Sequence, residues 1–347
     1  MIRVGVVGCG YWGPNLLRNL CEIPYSKVLG VADLSQERLD HIQKRYPGTI
    51  VTKDYRELLR LQLDAIVIAT PPATHYHLAA ECLRHGLHVL VEKPLTLNSV
   101  DAQELIELAE RQTRILMVGH TFVYNPAVRA LKKLIDDGEI GRLYYADAVR
   151  TSLGLFQTDL NVLWDLAPHD ISILSYLLGC APIGVSAHGM GCLQRSIEDV
   201  AYLNLTFPNY CLAHIHVSWL DPCKVRRITV VGSRRMAVYD DVEGLEKVRI
   251  YDKGVECPPY ADTYGDFQFS YRYGDITIPY IRLTEPLRLE CEHFLECILS
   301  NKRPQTDGYD GLRVVKVIEA AQKSLRNGGS QEQVFYEIEC PVPQIAV

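Results

Sequence analysis

The chain has 347 residues, of which 48% are hydrophobic and 22% are charged, and its formal net charge is −6. The length exceeds the roughly 100–200 residues of one domain, so we expect two domains with packed cores. The acidic balance argues against a general nucleic-acid or anionic-membrane binder, because such proteins carry a basic surface. The apolar run before Gly8 is too short to cross a membrane and no cleavable signal precedes it, so we expect a cytoplasmic protein.

Residues 1–120 alternate short apolar runs with helical segments, which is the pattern of βαβ units. The runs are apolar on both faces, as in parallel strands covered by helices. We therefore predict an α/β Rossmann domain over residues 1–120. Its predicted strands are Ile2–Val7, Val28–Ala32, Ala65–Ala69, His88–Val91 and Ile115–Val118, and its predicted helices are Asn15–Glu22, Gln36–Arg45, His75–His85 and Ser99–Gln112.

Residues 121–347 change to consecutive strands, which predicts an α+β domain with an open, mainly antiparallel sheet. The predicted strands are Leu143–Thr151, Gly184–Gly191, Ala201–Phe207, Tyr210–Ser218, Val225–Gly232 and Lys247–Tyr251. A helix is predicted around His169–Leu178. Two more, Glu285–Leu299 and Gly308–Asn327, are candidates to pack back on the first domain.

A G-x-G-x-x-G sequence, Gly8-Cys9-Gly10-Tyr11-Trp12-Gly13, directly follows the first predicted strand and precedes a helix. Its glycines permit a tight turn and a close approach to pyrophosphate, whose charge meets the helix N-terminus. Asp33 ends the second predicted strand, where a carboxylate binds the ribose hydroxyls of NAD. Asp33 therefore favours NAD over NADP, although Arg38 is placed to help a 2′-phosphate. The alternative is that Asp33 caps the helix beginning near Ser35.

Glu92-Lys93-Pro94 directly follows the last strand but one of the predicted Rossmann sheet, on the carboxyl edge where open α/β sheets bind ligands. Alone, Lys93 would be read as a solvated surface charge; at this edge we expect it to face the cofactor. Thr70-Pro71-Pro72 and His75 end the preceding strand and belong to the same rim. The predicted cofactor contacts of this rim are Thr70, Pro71, His75, Glu92 and Lys93.

Asp165 and His169 lie four residues apart at the start of the predicted helix around His169–Leu178. If both belong to its first turn they lie near one another, and Pro168 is tolerated there because first-turn amides lack helical partners. The alternative makes Asp165 an N-cap and gives His169 no special role. From their spacing alone the two interpretations are equally good.

Together these motifs resemble the glucose–fructose oxidoreductase/inositol dehydrogenase (Gfo/Idh/MocA) family over essentially the whole chain. That family carries this glycine fingerprint, an E-K-P after the fifth strand and a later D-x-x-x-H. The resemblance implies an NAD-dependent oxidoreductase in which Lys93 donates to the reacting oxygen, His169 is the general acid/base and Asp165 orients substrate or imidazole. It also implies a homodimer or homotetramer formed through the C-terminal sheet. No metal is expected, since the eleven cysteines are scattered without a CxxC pair.

The runs 150–156 and 161–170 and the segment Tyr271–Pro279 resemble the nucleotide-sugar branch of that family. So does Thr121–Pro126, which lacks the basic residue of many members. This branch includes UDP-N-acetylglucosamine and UDP-N-acetylglucosaminuronate 3-dehydrogenases. The resemblance implies oxidation of the C3 hydroxyl of a UDP-linked amino sugar, with Arg150 and Asn161 as substrate contacts.

Several alternatives stay open. Arg150 is equally well read as a surface strand residue paired with an acid, and the interpretation of Asn161 is similarly balanced. The tyrosine-rich stretch Tyr260–Tyr280 could wall a sugar or uracil site, but packing against the sheet is favoured. Other possible functions are an NADPH-dependent keto-sugar reductase of deoxysugar biosynthesis, which Asp33 disfavours, and a non-catalytic dinucleotide-sensing protein, which the intact catalytic set disfavours.

Overall fold

A computed structural model of the protein describes residues 1–154, 156–208, 211–256 and 269–336. The chain forms two compact units. The first comprises Met1–Tyr124 and Thr284–Lys316, and the second comprises Asn125–Leu283 and the chain from Val317 onward.

The first unit contains a parallel sheet in which five of the six strands match the predicted apolar runs closely, while β3 was not predicted. The strands are β1 (Ile2–Val7), β2 (Ser26–Ala32), β3 (Ile50–Thr52), β4 (Ala65–Ile68), β5 (His88–Glu92) and β6 (Leu116–Gly119). Their order is β3-β2-β1-β4-β5-β6, which is the doubly wound order of a Rossmann fold. Every residue of β4 and β6 is buried, as expected for strands covered on both faces. The predicted Rossmann architecture is confirmed.

Helices cover the sheets of both units, and several of them begin at a side-chain cap. In chain order they are α1 (Gly13–Glu22), α2 (Gln36–Arg45), α3 (Tyr55–Leu59), α4 (His75–Arg84), α5 (Ser99–Arg111), α6 (Pro126–Asp136), α7 (Val162–Leu178), α8 (Pro286–Ser300) and α9 (Gly308–Arg326). Ser35 caps α2 and Asn98 caps α5 through side-chain oxygens. No helix within the described ranges is both long enough and apolar enough to span a membrane.

The second unit is built on an open mixed sheet. Its strands are β7 (Leu143–Leu153), β8 (Gly184–Met190), β9 (Val200–Thr206), β10 (Leu212–Ser218), β11 (Leu220–Gly232), β12 (Met236–Asp240), β13 (Val248–Glu256), β14 (Ser270–Thr277) and β15 (Glu332–Gln333). The order is β14-β13-β12-β11-β7-β10-β9-β8-β15. Strand β10 runs parallel to β7, and the other neighbouring pairs described in this sheet are antiparallel. The predicted open, mainly antiparallel sheet is confirmed.

One face of this sheet is covered and the opposite face is exposed around its centre. Helix α7 packs on β7, β9 and β10. Side chains of β9 alternate, so that Ala201 and Leu203 are buried while Tyr202 is 43% exposed. On the exposed face the ring of Tyr202 stacks on His216, with ring centroids 4.4 Å apart. This face is therefore an aromatic surface rather than a plain polar one.

Helix α7 begins seven residues earlier than predicted. Asn161 is its N-cap, and the Asn161 side-chain oxygen accepts a 3.2 Å hydrogen bond from the Trp164 amide. The alternative that Asp165 is the cap is therefore wrong. Asp165 does lie in the first turn, but Pro168 and His169 lie inside the helix, so the first-turn placement of His169 and Pro168 is also wrong.

The tyrosine-rich stretch differs from its favoured interpretation. Residues 260–268 lie outside the described residues, as do Leu155 and Tyr210. Strand β14 is the edge strand of its sheet, and Tyr273 within it is 82% exposed. Tyr271 is also exposed and stacks on Tyr273. In this described part, the tyrosines are therefore exposed rather than packed against the sheet.

Candidate active site

A cleft of about 580 Å³ lies beside the glycine loop of the first unit. The loops that follow β1, β2 and β4 form it, at the carboxyl edge where doubly wound sheets bind ligands. Eight of the predicted cofactor contacts line this cleft: Gly8, Gly10, Tyr11, Trp12, Asp33, Arg38, Thr70 and Pro71.

Two of the three glycines of the loop lie where no side chain would fit. Gly8 has a φ of +96°, and a Cβ there would lie 2.5 Å from the carbonyl oxygen of Ala69. A Cβ on Gly13 would lie 1.9 Å from the carbonyl oxygen of Gly8. At Gly10, in contrast, a Cβ would meet nothing within 4 Å, so the main chain is open to the cleft. This is the geometry that a pyrophosphate needs to approach the amides at the start of α1.

Asp33 is fixed between the glycine loop and α2. Its Oδ2 accepts a 2.6 Å hydrogen bond from the Cys9 amide, and its Oδ1 accepts one of 2.8 Å from the Ser35 amide. Arg38 Nη1 lies 3.6 Å from Asp33 Oδ2. Ser35 rather than Asp33 is the N-cap of α2, so the capping alternative for Asp33 is wrong. A carboxylate held at this point of the cleft fits the ribose end of a dinucleotide.

The cleft also includes residues that sequence reasoning missed. Lys53 and Tyr55 line it, immediately after β3, a strand of three residues. A run this short carries no readable alternation, so no signal in the sequence placed these side chains at the cofactor. Leu34 and Leu78 add apolar surface to the same wall. The polar glycine loop and this apolar wall together suit the pyrophosphate and the adenine of an adenine dinucleotide.

His75 holds the turn that carries Lys93. The His75 ring is fully buried, with Nδ1 2.8 Å from the carbonyl oxygen of Pro94 and Nε2 2.9 Å from that of Thr70. Burial lowers the pKa of His75. The ring thus joins the end of β4 to the loop after β5, where the Lys93–Pro94 peptide is cis. A direct cofactor contact by His75 stays a prediction.

Glu92 and Lys93 differ in their surroundings although they are adjacent. Glu92 is buried and its Oε2 accepts a 3.2 Å hydrogen bond from the Lys93 amide, whereas Lys93 is half-buried. Burial raises the pKa of Glu92 to about 7. The cofactor contacts predicted for Glu92 and Lys93 stay predictions.

In the second unit, Asp165 and His169 lie on one face of α7, because residues four apart are neighbours on a helix. Trp219 Nε1 donates a 3.0 Å hydrogen bond to Asp165 Oδ2. Gly154 allows the indole to lie close, since a Cβ there would be 2.7 Å from Trp219 Cδ1. Sequence reasoning missed Trp219, because its nearness to α7 depends on the register of the sheet.

Arg150 and Asn161 both have partners inside the second unit. Arg150 Nε and Nη2 each donate a 2.9 Å hydrogen bond to Asp170, and both side chains are buried. The Asn161 amide nitrogen donates to Glu198 at 2.7 Å and to Gln322 at 2.8 Å, while its oxygen caps α7. The structure therefore gives both residues a role in the fold. Substrate contacts by Arg150 and Asn161 stay predictions.

Two family models match this chain. "Oxidoreductase family, NAD-binding Rossmann fold" matches residues 2–120, and "GFO/IDH/MocA C-terminal domain" matches residues 128–238. The chain belongs to the Gfo/Idh/MocA oxidoreductase family. Its first unit contains the NAD-binding domain of that family, and NAD is the cofactor whose shape the glycine loop and Asp33 fit.

Relatives of this chain within the Gfo/Idh/MocA family have names that specify different substrates. UDP-N-acetylglucosamine 3-dehydrogenase from Acidithiobacillus ferrooxidans is 27% identical, covering 90% of this chain and 94% of that protein. The NAD(+)-dependent scyllo-inositol 2-dehydrogenase from Bacillus subtilis is also 27% identical, with 94% and 95% coverage. A crystal structure of the Acidithiobacillus enzyme matches with a TM-score of 0.79 and 25% identity, covering 94% of this chain and 98% of that one.

Proposed function

We propose that this Gfo/Idh/MocA oxidoreductase uses NAD to oxidise the C3 hydroxyl of a UDP-linked amino sugar to a 3-keto sugar. The observation that carries the proposal is the similarity to UDP-N-acetylglucosamine 3-dehydrogenase along nearly the whole of both chains. The non-basic stretch Thr121–Pro126, which resembles the nucleotide-sugar branch, supports it.

The proposed chemistry separates one hydroxyl into a hydride and a proton. NAD supplies the hydride acceptor. His169 takes the hydroxyl proton, since an imidazole pKa near 6.5 suits proton exchange near neutral pH. Lys93 donates a hydrogen bond to the same oxygen and stabilises its developing negative charge. Asp165, held by Trp219, orients the substrate or the imidazole.

A second candidate is oxidation of a ring hydroxyl of a cyclitol. The scyllo-inositol dehydrogenase has the same identity to this chain as the UDP-sugar enzyme, over slightly more of it. Both reactions need the same hydride and proton transfer and differ in whether a diphosphate is recognised. Binding of UDP alone therefore separates the two candidates.

Calorimetry of the NAD-saturated protein tests the proposal directly. The ligands are UDP, UDP-N-acetylglucosamine, its glucuronate form, scyllo-inositol and myo-inositol, with NADH formation followed by absorbance. We expect one UDP-sugar to bind and to reduce NAD. Turnover of an inositol without binding of any UDP ligand would support the second candidate and overturn the first.

Matched variants test the assigned roles. Lys93→Met and His169→Asn are expected to bind NAD normally and to lose at least about a hundredfold in turnover, the usual contribution of one acid/base or oxyanion group. Lys44→Met, an exposed lysine on α2, is the control and should keep full activity. Normal turnover in either active-site variant would remove that residue from the mechanism.

We also propose that the protein acts in the cytoplasm as a homodimer or homotetramer. The exposed aromatic face of the second sheet, around Tyr202 and His216, supports an interface there.

A further inference from the structure

Three buried polar side chains of the first unit form a cluster next to Lys93. Glu92 ends β5, His120 directly follows β6 and Glu290 projects from α8. All three are buried, with Glu290 completely inaccessible. The Lys93 ammonium interacts electrostatically with both Glu92 and His120, and Glu92 interacts with Glu290. We call Glu92, His120 and Glu290 the carboxyl cluster.

Each carboxyl group of the cluster is oriented by one donor. Thr121 Oγ1 donates a 2.8 Å hydrogen bond to Glu290 Oε2. The Lys93 amide donates to Glu92 Oε2, as described above. Gly119 leaves space for Glu92, because a Cβ at Gly119 would lie 3.1 Å from Glu92 Oε2. The two carboxyl groups are therefore held by the fold rather than free to turn towards solvent.

Several atoms of the cluster have no hydrogen-bond partner within the described part of the chain. They are Glu290 Oε1 and both ring nitrogens of His120. A buried carboxylate oxygen without a donor is costly, whereas the same oxygen carrying a proton has a much smaller charge to solvate. The geometry around Glu290 Oε1 thus fits a protonated oxygen better than an ionised one.

The charge balance leads to the same conclusion. Two ionised carboxylates facing one ammonium would leave a buried charge uncompensated, which proteins avoid by retaining a proton. Burial and the neighbouring Glu92 raise the pKa of Glu290 well above its usual value. Burial, together with Lys93, lowers the pKa of His120 to about 3, so its ring is neutral and supplies no compensating charge.

Four other titratable groups in this part of the first unit also supply no cation. Cys291 on α8 and Tyr124 in the turn after β6 have pKa values raised by burial, so both are neutral near pH 7. Glu285 on α8 already pairs with Arg18 of α1 at 2.6 Å. Asp310 on α9 is partly buried, with its pKa raised to about 7. Among these described groups, Lys93 is the cation that interacts with the pair, and it does so through Glu92.

We propose that Glu92 and Glu290 together hold one proton at neutral pH and act as positioning residues that keep the Lys93 ammonium charged and in place. With one proton, the pair carries a single negative charge that matches the single positive charge of Lys93. The proposal of a shared proton depends only on the carboxyl cluster. The positioning of Lys93 rests on the proposed function, because it matters only if Lys93 contacts the reacting oxygen.

Infrared difference spectroscopy of the full chain tests the shared proton without any substrate. A protonated carboxylic acid has its own carbonyl stretch, which an ionised carboxylate lacks. At about pH 7.5, well above an ordinary glutamate pKa, we expect Glu290→Gln to lose the band of one acid relative to wild type. Glu92→Gln should keep it, because an isolated buried Glu290 stays protonated. Glu296→Gln, an exposed glutamate on the same helix, is the control and should change nothing.

Equal spectra for wild type and Glu290→Gln at this pH would overturn the shared proton. If Glu290→Gln does not fold by circular dichroism, the spectrum of Asp310→Asn decides instead, because this variant lacks another carboxyl group whose pKa is raised to about 7. An acid band that disappears entirely by about pH 5.5, the upper end of ordinary carboxyl titration, would then contradict the proposal. A band that persists above it supports the proposal.

The pH dependence of NAD-linked turnover tests the positioning role. Glu92→Gln removes the negative charge facing Lys93, so the alkaline limb of kcat/KM should move down by about one pH unit. Glu290→Gln leaves that charge in place and should leave the limb unmoved. Identical limbs in wild type and Glu92→Gln would overturn the role. If no sugar or cyclitol is turned over at all, the proposed function fails while the infrared result still stands.

Discussion

The indole Nε1 of Trp219 donates a hydrogen bond of 3.0 Å to Oδ2 of Asp165, from a side chain that is only 1% exposed. The indole lies close to Gly154, where no side chain occupies the space, and it packs edge-to-face against the ring of Phe156. A carboxylate fixed in this way keeps one orientation on the α7 face that it shares with His169. The sheet, rather than the helix alone, therefore determines how Asp165 is presented.

Replacing Trp219 by phenylalanine is expected to lower turnover about tenfold. The change removes the donor to Asp165, and a hydrogen bond to a charged group contributes about 1.5–3 kcal/mol. Initial rates of NADH formation measure the effect. Phe335→Leu, which changes an exposed phenylalanine of the second unit away from the indole, is the control. Unchanged turnover in Trp219→Phe would show that the orientation of Asp165 does not matter.

Asp33 and Arg38 are expected to affect the two dinucleotides in opposite ways. Asp33→Asn keeps an oxygen for the Cys9 amide but loses the charged acceptor for ribose, so NAD should bind at least about tenfold more weakly. Arg38→Ala should leave NAD binding nearly unchanged and weaken any residual NADP binding. Calorimetry with both dinucleotides measures this. Equal losses for NAD and NADP in Asp33→Asn would contradict the assigned contact with the ribose hydroxyls.

The buried Arg150–Asp170 pair is expected to be costly to break. Arg150→Met leaves Asp170 ionised and buried, which destabilises a fold by about 3–5 kcal/mol, and thermal melts measure the loss. The double variant Arg150→Met/Asp170→Leu should recover much of it. Lys133→Met, which breaks the exposed pair with Asp137, should change stability by less than about 1 kcal/mol.

The same variants distinguish a structural role of Arg150 from a role in binding the substrate. If Arg150 also binds the substrate, the double variant regains thermal stability but keeps a raised KM. If both values return to wild type, Arg150 serves the fold alone.

The carboxyl cluster gives stability a predictable pH dependence. The folded pKa of Glu92, about 7, lies above the ordinary value of 4.5, and that of Glu290 is raised as well. At a pH between the unfolded pKa of about 4.5 and the folded pKa of about 7, the folded state binds more protons than the unfolded state. The free energy of unfolding therefore falls as pH rises from about 4.5 to 7 and stays lower above pH 7. The difference in Tm between Glu290→Gln and wild type should therefore move in favour of the variant as pH rises from about 5 to 8. Each kcal/mol of relative free energy of unfolding corresponds to about 2–4 °C in Tm. A gap that does not change with pH would contradict this.

The exposed aromatic face of the second sheet is expected to hold copies of the chain together. Tyr202 stacks between His214 and His216, at centroid distances of 6.0 Å and 4.4 Å. Tyr202→Glu should reduce the mass measured by light scattering, because it buries a charge at the interface. Val100→Glu, an exposed position on α5, is the control. A wild-type mass equal to one chain would overturn the assembly.

Much of the first unit is predictable because its signals are local. The strands are apolar on both faces, the glycine fingerprint lies between β1 and α1, and Asp33 follows β2, so the dinucleotide cleft is visible in the sequence. The start of α7 was also encoded, by Asn161 three residues before Trp164. Pro168 obscured it, since proline is expected in a first turn and is tolerated here within a helix whose packed face outweighs one lost hydrogen bond.

The rest was not predictable, because it depends on contacts between distant segments. Trp219 meets Asp165 across 54 positions in the chain, and Thr121 meets Glu290 across 169. Glu290 stands in an otherwise ordinary amphipathic helix, where a glutamate normally faces water. Glu290 is instead buried, and α8 packs against the turn after β6, where Thr121 is its hydrogen-bond partner. Side chains of this kind acquire their chemistry from the fold and have no motif of their own.

Helix α9 is divided between the two units, with Gly308–Lys316 in the first and Val317–Arg326 in the second. The chain also passes from one unit to the other after Tyr124 and after Leu283, so it changes unit three times. A hybrid of two family members made with a single crossover would build at least one unit from both parents. Exchanging substrate preference between relatives by recombination thus requires three matched junctions, one of them inside a continuous helix.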